Sequence, residues 1–83
     1  MNIQELMANW SEYEDRKIKE GSDPKYFSYE NEWEVAYLAE KIRKYNQSIP
    51  EEDVNNAIGS CSRIFSTPPL RRMFVQCIMM QLR

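Results

Sequence analysis

The sequence predicts an all-α domain of four helices. Apolar residues recur at three- and four-residue steps along most of the chain. The interruptions fall at Gly21, Pro24, Pro50 and the Pro68–Pro69 pair, residues that end helices or open them. At 83 residues the chain has the length of one domain, expected to span 1–83.

The first helix is predicted from about Asn2 to Glu20. Ile3, Leu6, Met7, Trp10 and Tyr13 share one face at 3.6 residues per turn. Past Tyr13 the stripe fades into "EDRKIKE", where Ile18 is the expected anchor. Gly21 is the expected C-cap. The second helix is predicted to start after Ser28 and to end near Tyr45 or Asn46. Val35, Leu38, Ala39, Ile42 and Tyr45 form its apolar stripe, while Tyr29, Trp33 and Tyr37 form a second row on roughly the opposite side. The third helix opens on "SIPEE", with Ser48 as N-cap, Pro50 in the first turn and Glu51 completing a capping box. Val54, Ala57, Ile58, Cys61, Ile64 and Phe65 keep the helical period.

The fourth helix is expected to be capped by Thr67, with Pro68 in the first position. From Leu70 to Leu82, nine of thirteen residues are apolar. Only Arg72, Gln76 and Arg83 make a polar strip, and a helix apolar on most sides is ordinarily buried on most sides. The short "STPP" connection predicts an αα-hairpin of helices three and four. The expected core is Leu6, Trp10, Leu38, Ile42, Ile58, Cys61, Phe65, Leu70, Phe74, Cys77 and Ile78.

Composition narrows the chemistry. The net charge is −2 and the pI about 5.1, which disfavours nucleic acid as the main partner because binding to it is dominated by phosphate neutralisation. With no histidine, serine–histidine and cysteine–histidine catalysis and most zinc sites are excluded. Cys61 and Cys77 are far apart in sequence and form no CxxC motif, so they are expected to be buried, reduced and replaceable, with a disulfide as the alternative in an oxidising compartment. The opening "MNIQELMANWSEYED" has neither a basic n-region nor a long apolar run, so a cytoplasmic, soluble protein is expected. The apolar C-terminal stretch spans roughly 20 Å as a helix, short of a hydrocarbon core of about 30 Å, so no membrane partner is expected.

Glu30, Glu32 and Glu34 alternate at two-residue spacing, which scatters them around a helix. Glu51, Glu52 and Asp53 occupy a first helical turn, where negative charge is favoured without any ligand. Neither group suggests a metal site, and no glycine-rich loop suggests a nucleotide, so no catalytic residue, metal or cofactor is expected.

Two functional expectations remain. The first is a non-catalytic protein–protein interaction module or homodimer that uses Tyr29, Trp33 and Tyr37 as its partner surface, since aromatic residues dominate binding hot spots; the other reading of this row is packing against the first helix and its Trp10. The Met-rich end, Met73, Met79 and Met80, is expected to fill the core, with adaptation to a partner as the other reading. The alternative is a nucleic-acid-binding accessory protein. It would read DNA with a helix-turn-helix-like C-terminal hairpin, through Arg63, Arg71 and Arg72.

Overall fold

A computed structural model describes residues 3–82, and among them are five α-helices: α1 (Ile3–Leu6), α2 (Ser11–Lys19), α3 (Glu32–Tyr45), α4 (Glu51–Ile64) and α5 (Arg71–Gln81). The all-α class is as expected. The count of four is not, because the first predicted helix is two. Its predicted start at Asn2, and the polar Arg83 at the other end, lie outside the described residues.

The break falls at Asn9, whose φ of 63° is left-handed, a conformation that asparagine tolerates better than most residues. It frees backbone carbonyls, and side chains meet them. The Trp10 indole N–H donates to the Leu6 carbonyl at 2.8 Å. Lys41 Nζ donates to the carbonyls of Ala8 (2.6 Å) and Asn9 (2.8 Å), and the Tyr37 hydroxyl also reaches Asn9 O at 3.4 Å. Trp10 thus caps the end of α1 from just downstream, and α3 meets the carbonyls of the break that follows. α2 ends as expected. Gly21 takes φ 78°, its N–H bonds Ile18 O, and the Ser22 N–H bonds Lys17 O at 2.9 Å, which is the Schellman pattern.

Between α2 and α3 the chain is extended and pairs with the segment before α5. Tyr26 and Leu70 form an antiparallel bridge. The Phe27 N–H donates to Pro69 O (2.9 Å), and the Arg71 N–H donates to Lys25 O (2.7 Å). This pairing explains two corrections. α3 cannot start after Ser28, because the chain must first leave the bridge through a turn closed by the Asn31 N–H on Ser28 O, and Asn31 becomes the N-cap residue. Thr67 and Pro68 likewise lie outside α5, whose first turn is met by the Lys25 carbonyl instead of a threonine cap. Ser48 is not a cap either. Its hydroxyl and N–H both donate to Asn46 Oδ1, a local turn, and α4 begins at Glu51 with Pro50 in the N-cap position.

α3 packs against α4, α4 against α5, and α1 touches both α3 and α5. Leu6, Trp10, Leu38, Ile42, Ile58, Cys61, Phe74 and Ile78 are buried as predicted. Phe65 and Cys77 are half-buried, and Leu70 is exposed because it lies on the bridge rather than on a helix face. Tyr13, Phe27, Val54, Ala57 and Val75 complete the core. Ile18 is exposed, and Lys17 is buried in its place. α5 is also less buried than its composition suggests. Phe74, Val75 and Ile78 face inward, whereas Met73 and Met80 are 49% and 69% exposed.

Cys61 of α4 and Cys77 of α5 form a disulfide across a 16-residue separation, which corrects the expectation of two free thiols. The spacing allowed it all along: one cysteine sits on the inner face of each of two adjacent helices, with Cα atoms 6.0 Å apart. A loop of this size stabilises by about 3 kcal/mol through the entropy it removes from the unfolded chain. Reduction is therefore expected to lower the thermal midpoint by on the order of 10–20 °C. Paired melts with and without a phosphine reductant check this, and a change of only a degree or two would show that α4 and α5 hold together without the bond.

Candidate functional site

The Glu34 carboxylate is 1% exposed and accepts hydrogen bonds from four residues. It sits at the third position of α3, where the helix dipole favours negative charge. Its Oε1 accepts from the Tyr13 hydroxyl (2.5 Å), Lys17 Nζ (3.0 Å) and the Ser28 N–H (3.0 Å). Its Oε2 accepts from Lys17 Nζ (3.1 Å) and Asn31 Nδ2 (3.1 Å). One carboxylate thus joins α2, the α2–α3 connection and α3. Burial and the hydrogen bond to Glu34 push the Tyr13 phenol far above its ordinary value, so it stays a neutral donor. Such an arrangement is built to hold the fold together. Its donors and acceptors meet one another, and it presents no free base or nucleophile to a substrate.

The sequence contains a signal for this site that spacing among the glutamates alone misses. Glu34 lies four residues before Leu38 and eight before Ile42, hence on the core stripe of α3. Lys17 lies four after Tyr13, on the continuation of the Leu6–Trp10–Tyr13 stripe. A charge in the core register of each of two helices calls for a partner, and here each is the other's.

The three aromatic residues of the expected partner surface do not form one row. Tyr29 precedes α3. Its hydroxyl donates to the carbonyl of Phe65, the C-cap of α4 (2.7 Å), and its ring stacks on Phe74 of α5 at 6.0 Å. Trp33 and Tyr37 lie over α2, with ring centroids 5.3 and 5.6 Å from Tyr13. The Arg16 guanidinium stacks on Trp33 at 4.3 Å, and the Trp33 indole N–H donates to Glu20. Tyr37 also packs on Trp10, and burial raises its phenol. All three are half-buried, with partners in their own chain.

The three arginines are not one surface either. Arg63 and Arg72 are exposed, and Arg63 donates to the Ser60 hydroxyl one turn back. Arg71 turns inward, its guanidinium carbon 4.8 Å from the Trp10 ring and 5.4 Å from that of Tyr13, with Glu14 4.0 Å away. Its Nε and Nη1 are buried without an acceptor, and the π faces of the two rings take that place. To reach a phosphate, Arg71 would have to give up both rings. Among the described residues no group of three or more Cys, Asp or Glu side chains is placed to hold a metal ion, and no helix is long and apolar enough to cross a membrane.

What the chain leaves open to another molecule is elsewhere. Ile64 at the end of α4 (62% exposed), with Met73 and Met80 on α5, lines a shallow groove of about 350 Å³. Cys77 lies in it, and the uncharged Gln76 and Gln81 border it. Sequence periodicity puts Ile64 on the apolar stripe of α4 and favours core filling for the methionines, because it counts apolar residues without knowing how many neighbours a helix has. A comparison with known proteins finds no matching family model, no similar curated protein and no similar solved structure.

Proposed function

We propose that this chain is a non-catalytic interaction module that receives an apolar side chain of a partner protein on the face formed by Ile64, Met73 and Met80. The observation that carries this reading is the convergence of three large, exposed apolar side chains on one groove with a neutral rim. Methionine suits such a surface because its unbranched side chain adapts to the shape it meets. The adjacent disulfide ties α4 to α5, so the face is held in one geometry before any partner arrives. The aromatic residues that sequence favoured contribute indirectly, by fixing α3 to α2 and to the end of α4.

The working compartment bears on the same region. A cytoplasmic protein would carry Cys61 and Cys77 reduced, whereas a persistent disulfide belongs to an oxidising environment. The disulfide supports the second setting, and a thiol count on protein taken from its native host separates the two.

Ile64→Asp and Met80→Asp test the proposal. Each adds a charge at an exposed position, so helical content and thermal midpoint are expected to stay close to those of the parent. Retention of the bound protein on the immobilised domain is expected to fall about thirtyfold or more, the effect of losing one hot-spot contact of about 2 kcal/mol. Equal capture by parent and variants would remove this face from the proposal.

A further inference from the structure

A second surface carries an inference of its own. An open groove of about 830 Å³ runs between the outer side of α3 and the first turns of α4. Its floor is Val35, Ala36 and Ala39, and Glu51 and Asn55 stand on the α4 side. At about 100° per residue, Glu32, Ala36, Ala39 and Arg43 fall within roughly 60° of arc, turned away from the buried Leu38 and Ile42. The stripe therefore has an acidic residue at one end, a basic residue at the other, and only methyl groups between.

This order is self-complementary in one orientation. Residues 32 and 43, and residues 36 and 39, are symmetric about the same point between 37 and 38. We propose that α3 pairs antiparallel with α3 of a second copy of this chain across a twofold axis, so that Glu32 of each copy meets Arg43 of the other and Ala36 meets Ala39. Parallel pairing would put Glu32 against Glu32 and Arg43 against Arg43. The antiparallel arrangement also opposes the two helix dipoles. Alanine at the two central positions allows the helix axes to approach to about 8 Å, the close end of helix packing. The occupant is a second copy because the pattern complements itself, which is the property of an isologous interface.

Arg43 now lies 3.5 Å from Glu51 of its own chain, with both side chains more than half exposed. A pair this wet contributes little and leaves the guanidinium free to bridge Glu51 and the Glu32 of the second copy. The contact is independent of the Ile64–Met73–Met80 face, which remains open in the dimer. A single helix pair lies at the small end of stable interfaces, so dissociation constants on the order of 10 µM are expected.

Charge exchange tests the register. In sedimentation equilibrium from about 0.5 µM to 500 µM, a range that brackets such a constant, the parent is expected to pass from monomer to dimer. Glu32→Arg alone and Arg43→Glu alone place like charges together twice per dimer, and each is expected to raise the dissociation constant at least tenfold. An equimolar mixture of the two variants restores both opposite-charge contacts, as does the doubly exchanged chain, and both are expected to dimerise again. Circular dichroism on each variant establishes that it is folded, and Ile64→Asp is expected to dimerise like the parent. A parent monomeric throughout, a dimer indifferent to either single reversal, a dimer lost in Ile64→Asp, or single reversals that neither mixing nor double exchange rescues would each overturn the pairing.

Discussion

Replacing Glu34 by alanine is expected to cost about 3–5 kcal/mol, the effect of removing one member of a buried ion pair. The loss is large because Glu34 has several donors facing it. Lys17, 4% exposed, would keep a charge with no counter-ion. The Tyr13 hydroxyl, the Ser28 N–H and Asn31 Nδ2 would also lose an acceptor in a space with little access for water. A domain of this length has a total stability of roughly 4–12 kcal/mol, so the single substitution is expected to leave the chain near its unfolding threshold at ambient temperature. Exchanging both partners for apolar residues, Lys17→Met with Glu34→Leu, removes the charges together and is expected to be far milder, because a buried pair often gains little over a well-packed apolar one. Urea titrations of the two single variants and the double variant measure the coupling directly. If the double variant loses as much as the sum of the singles, Lys17 and Glu34 do not act as a pair, and the account of this network is wrong.

The same pair shows what a single sequence carries and what it does not. The helical period is local, so the inner faces of α3, α4 and α5 were legible from the spacing of Leu38 and Ile42, of Val54, Ala57 and Ile58, and of Phe74 and Ile78. Contacts between segments distant in sequence leave weaker marks. The stop at Asn9 depends on Lys41, more than thirty residues away, reaching the carbonyls it exposes. The starts of α3 and α5 depend on the bridge between Tyr26 and Leu70, whose residues have no alternating pattern to announce a strand. Ser48 and Thr67 have the right chemistry for helix caps, but one is held by Asn46 and the other precedes a stretch already paired with the α2–α3 connection. Phe27, fully buried, lies in a segment with no periodicity at all and was invisible to a search for amphipathic helices. The candidate surfaces follow the same logic. Aromatic composition pointed to Tyr29, Trp33 and Tyr37, yet large rings are also what a small domain needs for its own interior. Met73 and Met80 of α5 lie outward, while Met79 packs against the core, because a chain of this length has too few elements to cover every side of its last helix.

Phe27 leads to the second large effect. Phe74 is fully buried at the centre of an aromatic cluster: Phe27 stacks on it at 4.7 Å with planes 15° apart, and Tyr29 and Phe65 lie 6.0 Å away on other sides. Phe27 and Tyr29 belong to the α2–α3 connection, Phe65 to the end of α4 and Phe74 to the body of α5, so Phe74 is where three otherwise separate segments meet. Phe74→Ala is expected to destabilise by about 3–5 kcal/mol, from lost transfer free energy together with the cavity left behind. The cavity should collapse poorly. The bridge to Leu70 holds α5 at its start and the Cys61–Cys77 bond holds it one turn past Phe74, and the neighbouring rings are too stiff to fill the space. Phe27→Ala is expected to fall in the same range, and the two together to cost less than their sum, since either removes the stacking contact of about 0.5–1.5 kcal/mol that both share. Thermal and urea unfolding of the two single variants and the double variant check both statements. A loss below about 1 kcal/mol for Phe74→Ala is far under the range for an emptied aromatic site. That result would mean that α5 is held mainly by its disulfide, and that the cluster is not the centre of this core.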